Sequence, residues 1–216
     1  MAHEMTLYTY FRSSAAWRAR IALNLKGLKP DYCFIHLLKD DQHSADYQHV
    51  NPQQLIPALV DDKHIIAQSL AIIEYLDETY PEPPLLPKDA AGRARVRQIA
   101  YAIACDIHPI NNLRVLHYLR DEFQISDEQR IQWQRHWIAQ GFDAIEKLLS
   151  QSRETGRYCH GDTPTLADIC LIPQMGNARR VHVDLTAFPI LRRIEETALA
   201  HPAFSAARPE VQPDAQ

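Results

Sequence analysis

Hydroxyls crowd one strand-to-helix junction of this chain. Arg12-Ser13-Ser14-Ala15-Ala16-Trp17-Arg18 follows a short aromatic and β-branched run and opens a helix-patterned stretch. A helix start presents unpaired backbone N–H groups and the positive end of the helix dipole, so hydroxyls there can form a pocket for an anion or a thiolate. On local sequence alone, plain capping by serine accounts for the same residues. Ile56-Pro57 stands just before a second extended run. A cis bond would turn the Ile56 backbone toward an extended ligand, but only about 5–6% of X-Pro bonds are cis, and sequence leaves the isomer open. Gln68-Ser69 opens a further helix, where a side-chain amide, a hydroxyl and N–H groups can together hold a carboxylate.

These three places need an α/β frame, and the first eighty residues supply one. Thr6–Tyr10 reads as a strand. Ser14–Lys26 reads as a helix, with Trp17, Ile21 and Leu25 on one face, Ser13 or Ser14 as N-cap and Gly27 as the stop. Tyr32–Leu37 reads as a second strand, and the helical crossover implies parallel pairing. Lys39–Asn51 is too hydrophilic to bury and reads as a surface loop with a short helix. Ala58–Asp61 and His64–Ala67 make a hairpin, followed by a helix from Ser69 to about Tyr80.

Four prolines in Pro81–Pro87 forbid regular structure and mark a domain boundary. Beyond them only helices are expected. One runs from Ala90 to Leu119, kinked or broken by Pro109. Others cover Asp127–Gln151 behind a Ser126 cap, Thr165 to Arg180 behind a Thr165/Asp168 capping box, and Leu191–Ala200. The tail from Pro209 is expected to be poorly ordered. The reading is thus an α/β domain over 1–83 and an all-helical domain over 84–216, with clefts between domains favoured as ligand sites.

Composition narrows the class of function. The 216 residues carry 23 Lys and Arg against 27 Asp and Glu, a net charge of -4, mixed along the chain, which argues against nucleic acid as partner. No apolar run approaches the roughly 20 residues of a membrane span. Met1-Ala2-His3-Glu4-Met5 lacks the pattern of an export signal, so the expected location is the cytoplasm. Cys33, Cys105, Cys159 and Cys170 lack metal-like spacing and read as reduced, mostly buried apolar residues. No metal site is expected.

Taken together, a serine at a strand-to-helix turn, Ile-Pro before a strand and Gln-Ser at a helix start resemble the glutathione site of the glutathione transferases. Ser13-Ser14-Ala15-Ala16-Trp17-Arg18-Ala19-Arg20-Ile21-Ala22-Leu23 resembles the signature of the zeta class, Ser-Ser-Cys-x-Trp-Arg-x-Arg-Ile-Ala-Leu. Asn51-Pro52, Gln68–Leu76, Gly161-Asp162 with Thr165–Asp168, and Val183–Thr186 are similar to further stretches of that class, and the likeness spans essentially the whole chain. One position departs: Ala15 stands where the family has Cys.

The resemblance implies a thioredoxin-like N-terminal domain, an all-α C-terminal domain, glutathione as cofactor and a homodimer. It implies cis–trans isomerisation of maleylacetoacetate to fumarylacetoacetate. The alternatives are isomerisation of maleylpyruvate and glutathione conjugation or dehalogenation of small α-halo acids. Ser13, Ser14 and Arg12 become the catalytic candidates. Ser13, Ser14, Ala15, Trp17, Arg18, Gln42, Ile56, Pro57, Gln68, Ser69, His108 and Asn112 become the glutathione contacts. Arg12, Arg114 and Arg180 become a clamp for a small dicarboxylate, since guanidinium groups bind carboxylates through two parallel hydrogen bonds. Glutathione's own thiol can serve as nucleophile, so the isomerisation is expected to survive Ala15.

Overall fold

The computed structural model describes residues 4–215; the Met1–His3 part of the stretch read for an export signal lies outside them. The chain divides into two compact units, one made of the chain up to Pro84 together with the chain from Ala200 onward, the other of Leu85–Leu199.

In the first unit, β1 (Met5–Thr9) leads through a tight turn into α1 (Ser14–Leu25), followed by β2 (Asp31–Phe34) and α2 (Ala45–Val50). The hairpin β3 (Ala58–Asp61) and β4 (His64–Ala67) then precedes α3 (Ser69–Thr79). The sheet order is β2-β1-β3-β4. β1 pairs parallel with β2, Leu7 opposite Tyr32, and antiparallel with β3, Leu7 opposite Leu59. Leu7 and Leu59 are wholly buried, as expected for paired inner strands.

Helix α1 ends where glycine permits a left-handed turn, at Gly27 with φ 69°. Its expected single apolar face understates its burial. Every residue from Ser14 to Leu23 except Ala15 is buried, Arg18 and Arg20 included, because α1 packs on α3 and on a short helix α10 (Pro202–Ser205). The 37–51 stretch is two 3-10 turns and α2, yet it buries Gln42 and Tyr47. Its polarity had suggested surface only.

The second unit is helical: α4 (Ala90–Tyr101), α5 (His108–Ile110), α6 (Leu113–Phe123), α7 (Asp127–Ser150), α8 (Leu166–Arg180) and α9 (Pro189–Leu199). The interruption expected at Pro109 takes the form of a π-helical stretch over Ala102–Ile107, ahead of the proline. A proline has no N–H and crowds the carbonyl four residues back, so the ladder is reset before it.

Beside the sequence division at 83/84, the chain from Ala200 onward packs with the first compact unit. One expectation needs correction. The chain does not trail off at Pro209: Pro209–Val211 forms a 3-10 turn and Gln212 is buried, its amide donating to the carbonyls of Ala206 (2.9 Å) and Arg208 (2.8 Å). No helix among the described residues is long and apolar enough to cross a membrane.

Candidate functional site

The first unit gathers its candidates at helix starts and one loop. Ser13 is the N-cap of α1, and its Oγ accepts the Ala16 N–H at 3.2 Å. A hydroxyl that accepts one bond keeps its proton to donate. Ser13 is half-buried, Ser14 is buried and Arg12 is exposed. No acidic residue lies in the first turn of α1, so nothing within the helix answers the positive end of its dipole.

Helix α3 begins at Ser69, behind Gln68 with φ 71° and ψ 116°. A non-glycine residue held in such a region costs about 1–3 kcal/mol, and such residues cluster at ligand clamps and active sites. The Gln68 amide donates to Gln53 Oε1 at 2.7 Å. The two helix starts are tied together: Arg18 is buried and its Nη1 donates to Ser69 Oγ at 3.4 Å. Arg18 and Trp17 thus lie in the interior, with Arg18 bonded to the hydroxyl that opens α3.

The bond Ile56-Pro57 is cis, and both residues are buried. Just before it, the Leu55 carbonyl accepts both the Tyr47 hydroxyl and the Asn51 amide, each at 2.6 Å. Gln42 is buried as well, its Nε2 donating to Asp40 Oδ1 at 3.3 Å. Its other amide atom is buried with no partner among the described residues. Gln53, Tyr47 and Asn51 were not singled out by residue type. Only the Asn51-Pro52 likeness hinted at the last.

In the second unit, His108 opens α5 and Asn112 caps α6, its Oδ1 accepting the Arg114 N–H at 3.1 Å. One turn therefore collects His108, Asn112 and Arg114. Arg114 is exposed in the first turn of a helix, where a cation opposes the helix dipole, and α6 has no acidic residue there. That is a poor arrangement for stability and a good one for an anion. Arg180 lies on a different element, the last residue of α8, with Nη2 donating to Asn177 Oδ1 at 3.0 Å.

The Glutathione S-transferase, N-terminal domain family matches residues 7–84, and the Glutathione S-transferase, C-terminal domain family matches residues 126–210. The chain belongs to the glutathione S-transferase family. It is similar to a probable maleylacetoacetate isomerase of Vibrio cholerae, with 48% identity over 98% of each chain. A solved structure described as the holo form of a maleyl pyruvate isomerase, a bacterial glutathione S-transferase in the zeta class, shares 48% identity with a TM-score of 0.96, covering 98% of this chain and 100% of that one. A maleylacetoacetate isomerase of Methylobacterium extorquens AM1, solved with bound malonate and GSH, shares 40% identity with a TM-score of 0.95, covering 98% of this chain and 99% of that one. This transferase therefore belongs to the zeta class.

The cysteines of this transferase are less uniformly buried than expected. Cys159 and Cys170 are buried, but Cys33 is half-buried and Cys105 exposed; all are free thiols. Burial pushes the Cys33 thiol up, away from thiolate character.

Proposed function

We propose that this chain is a glutathione-dependent cis–trans isomerase that converts maleylacetoacetate to fumarylacetoacetate. The observation that carries the reading is the start of α1, where Ser13 keeps a hydroxyl proton to donate and the first turn holds no acidic side chain. The residues present suit glutathione chemically: a donor for sulfur at Ser13, a tethered hydroxyl at Ser69 and main-chain groups at Ile56, outside any strand or helix. When bound, glutathione supplies a thiolate that adds to the cis double bond, allows rotation about the resulting single bond, and leaves again unchanged.

The chain's part is to make that chemistry possible near neutral pH. Ser13 donates to the sulfur and favours its ionised form, with the α1 dipole adding to the effect. Ser14 and Arg12 stand beside it. Gln68 and Ser69 hold a glutathione carboxylate, Ile56 and Pro57 present backbone, and Ala15 leaves room without a competing protein thiol. Gln42, Trp17 and Arg18 support this floor. His108 and Asn112 complete the glutathione contacts, and a homodimer places them on the neighbouring subunit. Arg12, Arg114 and Arg180 hold the substrate's carboxylates and stabilise the oxyanion that develops as the thiolate adds. The protein works in the cytoplasm, on a small dicarboxylate.

Equal identity to a maleylacetoacetate and a maleylpyruvate isomerase, with Arg114 available for a shorter acid, supports maleylpyruvate as the second substrate. The test is absorbance loss of both enzymically generated substrates, with and without glutathione. Turnover that needs glutathione while the thiol titre stays constant is expected, and the faster substrate names the activity. Consumption of thiol would instead indicate conjugation. Absence of turnover with both, despite glutathione binding, would refute the isomerase.

A further inference from the structure

The chain from Ala200 onward returns to the turn that carries the catalytic candidates. Arg20, in the middle of α1, is almost wholly buried, yet all of its described bonds go to two places. Its Nη1 donates to Thr9 Oγ1 (3.0 Å) and the Tyr10 carbonyl (3.3 Å), its Nη2 to the Phe11 carbonyl (3.0 Å), and its Nε to the Ala207 carbonyl (3.2 Å). One guanidinium thus joins the β1–α1 turn to the returning segment. Such a fixed planar fork suits a permanent structural tie, and burial pushes Arg20 down only to about 10, so it stays charged at neutral pH.

The second tie comes from the far end of the segment. Asp214 Oδ2 accepts the Phe11 N–H at 2.8 Å. Ala215 packs against the cluster of Tyr10, Phe11, Ile35, Tyr47 and Ile56, the same cluster that carries the Ile56-Pro57 loop. Phe11 is therefore gripped on both sides, its N–H by Asp214 and its carbonyl by Arg20. The Tyr10 carbonyl, held by Arg20, also receives the Ser13 N–H at 3.1 Å. Arg12 is exposed and has only this backbone to fix its origin.

We infer that Asp214 is a positioning residue for the active site: through Phe11 it sets where Arg12 and Ser13 present their side chains. The inference rests on the reading of Ser13 as donor to the glutathione thiolate. Loss of the Asp214 bond frees the Phe11 peptide to shift, and misplacing a catalytic donor by about 1 Å can cost up to about 10²-fold in rate.

The experiment compares the parent with Asp214→Ala, Asp214→Asn and Ser13→Ala. For each, glutathione affinity, isomerisation rate per glutathione-binding site and ionisation of the bound thiol (thiolate ultraviolet absorbance against pH) are measured. Asp214→Ala is expected to lose about tenfold in kcat/KM for the dicarboxylate. Its glutathione Kd, measured at a pH low enough that the bound thiol is protonated, should change less than about twofold, and its bound thiol should ionise at higher pH. Asp214→Asn keeps an oxygen to accept the Phe11 N–H and is expected to recover most of the loss. It is nearly isosteric, so it remains informative if the alanine variant folds poorly. Parent-like thiol ionisation and rate per site in Asp214→Ala, with only a lowered Tm, would overturn the inference. If Ser13→Ala itself leaves the bound thiol unmoved, the reading of Ser13 fails instead, and the two failures are told apart.

Discussion

Helices α1 and α8 both start inside the protein behind a hydroxyl residue, and they treat their exposed N–H groups in opposite ways. At α8 the protein supplies its own anion. Asp168, wholly buried, accepts the Thr165 N–H at 2.8 Å, the Thr165 hydroxyl at 2.9 Å and the Cys159 N–H at 2.7 Å. Burial pushes its carboxyl up, and those bonds pull it back down. At α1 the cap is a neutral serine with its proton to spare, and no carboxylate stands in the first turn. A helix start answered from within holds the fold together; one left unanswered is available to a ligand's negative charge. The same local physics yields structure in one case and, under the proposed function, chemistry in the other.

The comparison can be broken at either end. Asp168→Ala leaves buried donors at Cys159 and Thr165 without an acceptor, at about 1–3 kcal/mol each, so a loss of about 3–5 kcal/mol is expected in urea unfolding. Ionisation of the bound thiol should not move. Because burial holds Asp168 above the usual carboxyl range, the native state binds its proton more tightly than the unfolded chain does. This group's contribution to stability therefore falls as pH rises from the ordinary carboxyl range through the folded value, and Asp168→Asn should flatten that slope.

Ser13→Ala reverses the pattern. It should cost about 1 kcal/mol of stability as a lost cap, but about 10²-fold in kcat/KM, as for loss of one donor to a developing anion. Since the thiolate is the active form, raising its pKa removes rate at the acid end of the pH profile first. Placing an internal anion at α1, by Ala15→Asp, should stabilise the helix by about 0.3–1 kcal/mol. The same change should cost about tenfold in isomerisation, since like charge beside the sulfur disfavours its ionisation. Thermal denaturation and turnover measured on one preparation check both signs. The smallest effect is expected for Ala15→Cys, which restores the class signature: if glutathione alone is the nucleophile, steady-state isomerisation changes by less than about twofold.

What sequence disclosed followed the range of each interaction. Thr165 as a cap, Gly27 as a helix stop and the hairpin around Asp62 are all settled within a few residues and read off directly, as does a serine cap on α1, left open between Ser13 and Ser14 until the structure gave Ser13. So does the interruption near Pro109, although not its π-helical form, which depends on how the neighbouring helices accommodate an extra residue. Asp214 pairs with an amide 203 positions earlier, so its own surroundings, poor in hydrophobic residues, suggested only a loose end. Buried Arg18 and Arg20 were invisible for a similar reason, since arginine signals surface until its partners are known. Proline allows both isomers at Ile56-Pro57, and nothing in the residue type of Gln68 marks its positive φ, so neither feature was fixed by local sequence. Of the candidate site, the α1 and α3 starts were legible because a helix start is a local feature, whereas Tyr47, Asn51 and Gln53 became visible only through their bonds.

Catalysis by this protein turns on whether the start of α1 ionises a bound thiol. The most direct measurement is ultraviolet titration of glutathione bound to the unmodified protein and to Ser13→Ala. A free thiol ionises near pH 8.5. The expected result is a bound thiol ionised well below that value in the parent and returned toward it in Ser13→Ala. A bound thiol that titrates like the free one in the unmodified protein would contradict it.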